Sequence, residues 1–108
     1  MSWNVWLEAD LGAGPVEIEE VANGFTWNLA PMLEKALQVE GFRALDGREA
    51  SVVCGIVCAG IQHMKADPGT YHALNPPNGW GNYEICLEVL EKLVGACERA
   101  PRAVVRIR

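Results

Sequence analysis

Hydrophobic and polar positions alternate with a period of two at both ends of the chain and follow a helical period in between. From Trp3 to Asp10, Trp3, Val5, Leu7 and Ala9 fall on one side and Asn4, Trp6, Glu8 and Asp10 on the other. That alternation among β-forming residues predicts a half-buried strand. Gly12-Ala13-Gly14-Pro15 turns the chain, and Val16 and Ile18 alternating with Glu17 and Glu19 predict a second, antiparallel strand in a hairpin. Ala22-Asn23-Gly24 breaks this pattern and is expected to end the strand. At the far end, Ala103, Val105 and Ile107 alternate with Val104, Arg106 and Arg108, which predicts a third strand.

Three helices are expected between the strands. Asn28 is placed to cap the first, from Leu29 to about Val39, with Pro31 in its first turn and Gly41 ending it. Asp46-Gly47-Arg48-Glu49 has the spacing of a capping box before a second helix that reaches about Ala66. This helix is apolar around most of its circumference and is expected to be the most buried. Ser51, Gly55 and Ala59 recur every four residues and predict a smooth groove for a neighbouring helix. Asp67-Pro68-Gly69 stops it and starts a short turn through Tyr71 and Leu74. Asn82 caps the third helix, Tyr83 to Arg99, whose stripe is Tyr83, Cys86, Leu87, Leu90, Leu93, Val94 and Cys97, and Pro101 stops it.

The order β-β-α-α-α-β predicts an α+β domain over residues 1–108, a three-stranded antiparallel or mixed sheet with the three main helices on one face. The other face is then expected to carry Trp6, Glu8, Glu17, Glu19, Arg106 and Arg108, with carboxylates facing arginines across strands.

Composition narrows the function. Half of the 108 residues are hydrophobic, enough for a core without a disulfide or metal staple. The net charge of −5 repels phosphate backbones, so no nucleic-acid partner is expected. Arg99, Arg102, Arg106 and Arg108 are the nearest approach to a basic stripe, and they are expected to pair with carboxylates or face solvent. The apolar stretch from Ala50 to Ile61 is too short for a membrane span, and no leader pattern follows Met1, so a cytoplasmic protein with reduced thiols is expected.

Candidate chemistry is thin. The four cysteines contain no C-x-x-C pair. Cys54 and Cys58 are one helical turn apart and make half a metal site at most, while Cys86 and Cys97 lie roughly 16 Å apart along one helix. Core packing is the expected role of all four, with no metal and no cofactor. Cys58 and His63 are five residues apart and do not face each other, and both histidines, His63 and His72, read as surface or half-buried rings. Gly12-Ala13-Gly14 is followed by proline and a strand, and Gly79-Trp80-Gly81 lacks a third glycine and a lysine, so neither is a phosphate loop. Glu17 and Glu19 are expected to point together into solvent, which leaves no catalytic pair and no catalytic residue to name.

The segments Gly24-Phe25-Thr26-Trp27-Asn28-Leu29-Ala30-Pro31-Met32 and Tyr71 to Tyr83, with the helix to Pro101 and the last strand, carry a likeness over most of the chain. The protein resembles a family of small proteins of actinobacteriophages and their hosts. That resemblance implies a phage origin and an intracellular role. It transfers no activity and no catalytic residue, and the cysteine-rich second helix departs from it.

A non-enzymatic accessory factor that binds and modulates a host or phage protein is therefore the first expectation. The candidate partner-binding residues are Trp80 in the rigid loop Asn75–Gly81, Asn78 and Tyr83 beside it, and Trp6 on the open sheet face. Two alternatives stand beside it. One is a small virion or assembly component that self-associates, as a homodimer or larger, through a sheet edge or face. The other is an enzyme with a site built from His72, Asn28, Tyr83 and nearby carboxylates.

Overall fold

The computed structural model describes all residues, Met1–Arg108. The elements are β1 (Ser2–Asp10), β2 (Pro15–Thr26), α1 (Ala30–Leu37), α2 (Ala50–Ala66), α3 (Pro68–His72), α4 (Tyr83–Arg99) and β3 (Val104–Ile107). Short 3-10 turns at Trp27–Leu29 and Phe42–Leu45 flank α1. The architecture is α+β, and the sheet is wholly antiparallel in the order β2-β1-β3. The C-terminal strand thus joins β1, placing the first strand at the centre. Trp3, Val5 and Leu7 of β1 and Val105 and Ile107 of β3 point into a core of 26 buried residues that takes its other members mainly from α1, α2, α4 and the 3-10 turns. The stripe expected on α4 is the one that packs, and Asn82 Oδ1 accepts the Ile85 N–H at 2.8 Å as the helix cap.

The second strand departs most from expectation. It runs through Ala22-Asn23-Gly24 to Thr26, twelve residues against the nine of β1. The register skips Ile18, Val21 and Gly24, so each is the extra residue of a bulge. Each bulge resets the alternation. Glu17 lies opposite Glu8 on the outer face, whereas Glu19 lies opposite Leu7 and reaches Arg99 of α4. The two carboxylates therefore part to opposite faces. Val21, an extra residue, turns inward and is buried.

Local caps differ in a consistent way. Thr26, not Asn28, starts the first helical segment, its hydroxyl accepting the Asn28 N–H. α1 stops at Gln38, which takes left-handed backbone at φ 55°, three residues before Gly41. Asp46 and Glu49 do not form a capping box. Asp46 Oδ1 instead accepts the Ile107 N–H at 2.8 Å and the Arg106 Nε–H at 3.0 Å, and Glu49 accepts from the Ser51 hydroxyl. The segment before α2 pairs with β3 through Gly47 N–H to Val105 O and Val105 N–H to Arg48 O. One edge of the sheet is thereby covered, and the β2 edge pairs with no other segment.

α2 is less buried than α4. Ser51, Val52, Gly55 and Ala59 face outward, so the expected small-residue groove receives no helix. The close approach is one residue further along, where Gly60 meets Ala36 and Leu37 of α1. On the outer sheet face, Glu8 accepts from both the Trp6 indole N–H (3.2 Å) and Arg106 (3.0 Å). The facing acid and base on β1 and β3 are as the alternation predicts.

Candidate partner-binding groove

The loop between α3 and α4 is tied down at each end. Tyr83 is buried. Its hydroxyl donates to the Met64 carbonyl at 3.0 Å, its ring stacks on His72 with centroids 4.3 Å apart, and its N–H is accepted by Asn75 Oδ1 at 2.8 Å. Asn78 Oδ1 accepts the Trp80 N–H at 2.9 Å, and its amide reaches Asn28 Oδ1 at 3.4 Å. Gly81 has φ +96°, and a Cβ there would lie 2.8 Å from Thr26 Cγ2 and 2.9 Å from Leu29 Cγ. Only glycine lets the loop sit this close to the end of β2. Trp80, held between these fastenings, remains 66% exposed. It does not fold back into the core.

Trp80 stands at one end of a groove of about 770 Å³. One wall is the outward edge of β2 from Glu20 to Thr26, and the other is α4 with Ile85, Val89 and Lys92. Val21 and Phe25 are buried in its β2 wall. Phe25 in turn packs against Trp3 and Phe42, with centroids 5.8 and 5.7 Å away, so this wall is backed by a packed aromatic cluster. Ile85 on the opposite wall is 43% exposed. Trp80 and Ile85 are thus large apolar side chains left in water beside a concave surface.

Past Val21 and Lys92 the groove continues into a polar hollow of about 520 Å³ lined by Glu19, Glu20, Glu88, Glu91, Gly95 and Arg99. Arg99 forms a bidentate pair with Glu19, and this hydrogen bonding holds the Glu19 carboxyl below its usual range and raises the Arg99 guanidinium. Lys65 pairs with Glu91 at 3.3 Å. Glu20, Glu88 and Lys92 make no ion pair within the chain.

The four residues singled out by sequence separate into different roles. Trp80 is a groove wall. Asn78 braces the Trp80 backbone. Tyr83 is a buried support, so it offers no contact surface to a partner. Trp6 is half-buried on the opposite side of the β2 edge, in a shallow hollow with Asn4, Glu17, Glu20 and Asn23. Ile85 and Val89 escaped notice, although both are apolar, four residues apart and off the core stripe of α4. Val21 and Phe25 carried no readable signal, because the bulges that place them are invisible in the alternation.

The trio proposed for an enzyme is only partly assembled. His72 lies on Tyr83, while Asn28 is bonded to Thr26 and Asn78, and none of the larger concavities is lined by His72, Tyr83 or Asn28. No three His, Cys, Asp or Glu side chains converge on one point. Cys86 and Cys97 are buried, and burial pushes both thiols up to about 12. Cys54 and Cys58 are half-buried with sulfurs 4.0 Å apart. No helix is long and apolar enough to cross a membrane. No family model, no curated protein and no solved structure matches this chain.

Proposed function

We propose that this protein acts without catalysis, by binding a partner protein in the groove between β2 and α4, as an accessory factor of the phage type that its sequence resembles. The supporting observation is Trp80. It is a large aromatic whose backbone is held by Asn78 and the flanking Gly81 and Tyr83, and whose side chain is left mostly in water at the mouth of the groove. An exposed aromatic on a fixed backbone makes a good anchor, because it buries a large apolar area while the loop beneath it is already ordered. Trp6 is the weaker anchor, since its indole N–H is already bonded to Glu8. Affinity capture from a bacterial host lysate tests this. Trp80→Ala is expected to melt like wild type and to lose the partner, while Trp6→Ala retains it. Equal recovery by wild type and Trp80→Ala would remove the groove from consideration.

A second reading, self-association into an assembly, has its own observation. On β1 the pairing with β3 reaches no further than Glu8, so the hairpin tip overhangs the sheet, and Leu11, Val16 and Ile18 are exposed on it. Light scattering at high concentration decides between a monomer and this assembly.

A further inference from the structure

Resting on the groove as the binding site, we infer that its occupant is an extended segment of the partner protein. This segment lies along the free edge of β2, with an apolar side chain against Trp80 and a basic side chain opposite Glu20 and Glu88. Three observations define it.

The first is the wall. A strand edge presents outward N–H and C=O groups, and in this sheet the β2 edge is the one left without a neighbour along its whole length. An extended segment can bond to those groups, whereas a docked helix has its own backbone groups already satisfied. The second is length. From Ile85 to Arg99 the α4 wall rises roughly 21 Å, at 1.5 Å per residue. That length matches about six residues of extended chain at roughly 3.3 Å each. The third is charge. In the far half Glu19 is paired with Arg99 and Glu91 with Lys65, which leaves Glu88, and Glu20 at the rim shared with the Trp6 hollow, against the one unpaired cation Lys92, while the near half is apolar apart from Glu20, Asn23, Thr26 and Lys92. A segment that is apolar at one end and basic at the other complements both halves.

The bulges at Val21 and Gly24 refine the picture. They interrupt the regular spacing of edge groups, so a long continuous ladder with a second copy of this chain is disfavoured. A bound segment can make only short runs of backbone bonds and must draw the rest of its affinity from side chains. Selection then falls on the residues that meet Trp80 and Glu20.

The test pans a library of random linear decapeptides against the immobilised full chain, then measures one enriched peptide against wild type, Trp80→Ala and Glu20→Lys/Glu88→Lys. Circular dichroism melts confirm that each variant is folded. The expected peptides share an apolar residue followed or preceded within about six residues by Lys or Arg. Each variant is expected to weaken binding by about tenfold or more, and added salt to weaken it further. Peptides that need Trp80 but lack basic residues, and bind the double-lysine variant as well as wild type, overturn the charge assignment and leave the groove standing. If no peptide depends on Trp80 while a captured host protein does, the occupant is not an extended segment. Loss of Trp80 dependence in both assays sinks the groove itself.

Discussion

At Gly60 the helices α1 and α2 approach so closely that a Cβ would sit 2.5 Å from Leu37 Cδ2 and 3.1 Å from the Ala36 carbonyl oxygen. Leu37 can rotate, but the backbone oxygen cannot move without shifting α1. Overpacking of this kind costs about 1–3 kcal/mol. Alanine regains up to about 1 kcal/mol of helix propensity over glycine. Gly60→Ala is therefore expected to lower stability by up to about 2 kcal/mol in urea unfolding, whereas Gly55→Ala, in open space on the same helix, is expected to raise it. The cysteines give a second residue-scale outcome. With Cys86 and Cys97 pushed up to about 12 by burial, almost no thiolate forms at either near pH 8. Native labelling with a thiol reagent at pH 8 should mark only Cys54 and Cys58, and slowly, because burial also raises Cys54. All four should label in denaturant. Fast native labelling of Cys97 would show that the α2–α4 seam opens.

β3 is only four residues long, yet two of its side chains, Val105 and Ile107, are fully buried. Its outer edge is fixed by a side chain from a distant segment. Asp46 Oδ1 takes the Ile107 N–H and the Arg106 Nε–H, and Arg106 also bonds Glu8 across the strand pair. Because these groups are half-buried, the pairs are worth more than exposed surface bridges. Asp46→Ala leaves the Ile107 amide and one side of Arg106 without this carboxylate, and should lower the midpoint of chemical denaturation. Asp46→Asn keeps an acceptor and should cost less. An unchanged denaturation midpoint for Asp46→Ala would mean that water replaces the carboxylate without penalty. β2 shows the opposite logic. Three bulges spread twelve residues over nine partners, bending the strand and leaving its edge poorly suited to pairing with another copy.

For the whole molecule, the two chain ends meet at the sheet. Val105 and Ile107 are fully buried, and Asn4 and Arg108 exchange backbone bonds at 2.7 and 2.9 Å. Fully burying a Val or Ile side chain contributes about 1.5–3 kcal/mol. Two of these, the β1–β3 ladder and the Asp46 network together rival the whole net stability of an ordinary domain, about 5–15 kcal/mol. A chain truncated after Ala103 is expected to show no cooperative thermal transition. A sharp melt from that truncated chain would show that the helices and hairpin stand without the third strand. The radius of gyration is 13.6 Å, slightly above the roughly 13 Å typical of a compact chain of this length, and the longest dimension is 46 Å.

The alternation at the two ends and the apolar stripe of α4 determined the elements, the α+β class and the inward face of β1, because burial selects side chains directly and its period is written in the residue order. The rigidity of the Trp80 loop was foreshadowed by the prolines and glycines around it, whereas the exposure of the indole was decided by the packed chain. Tertiary structure alone decided the rest. A bulge changes no residue type, so the reach of β2 through Gly24 and the parting of Glu17 from Glu19 left no trace in the alternation. Asp46 had a local acceptor role open to it at a helix start, and a strand sixty residues away competed successfully for it. The groove itself is a relation between an edge strand and a helix that lie far apart in sequence, and only packing of the complete chain brings its two walls together.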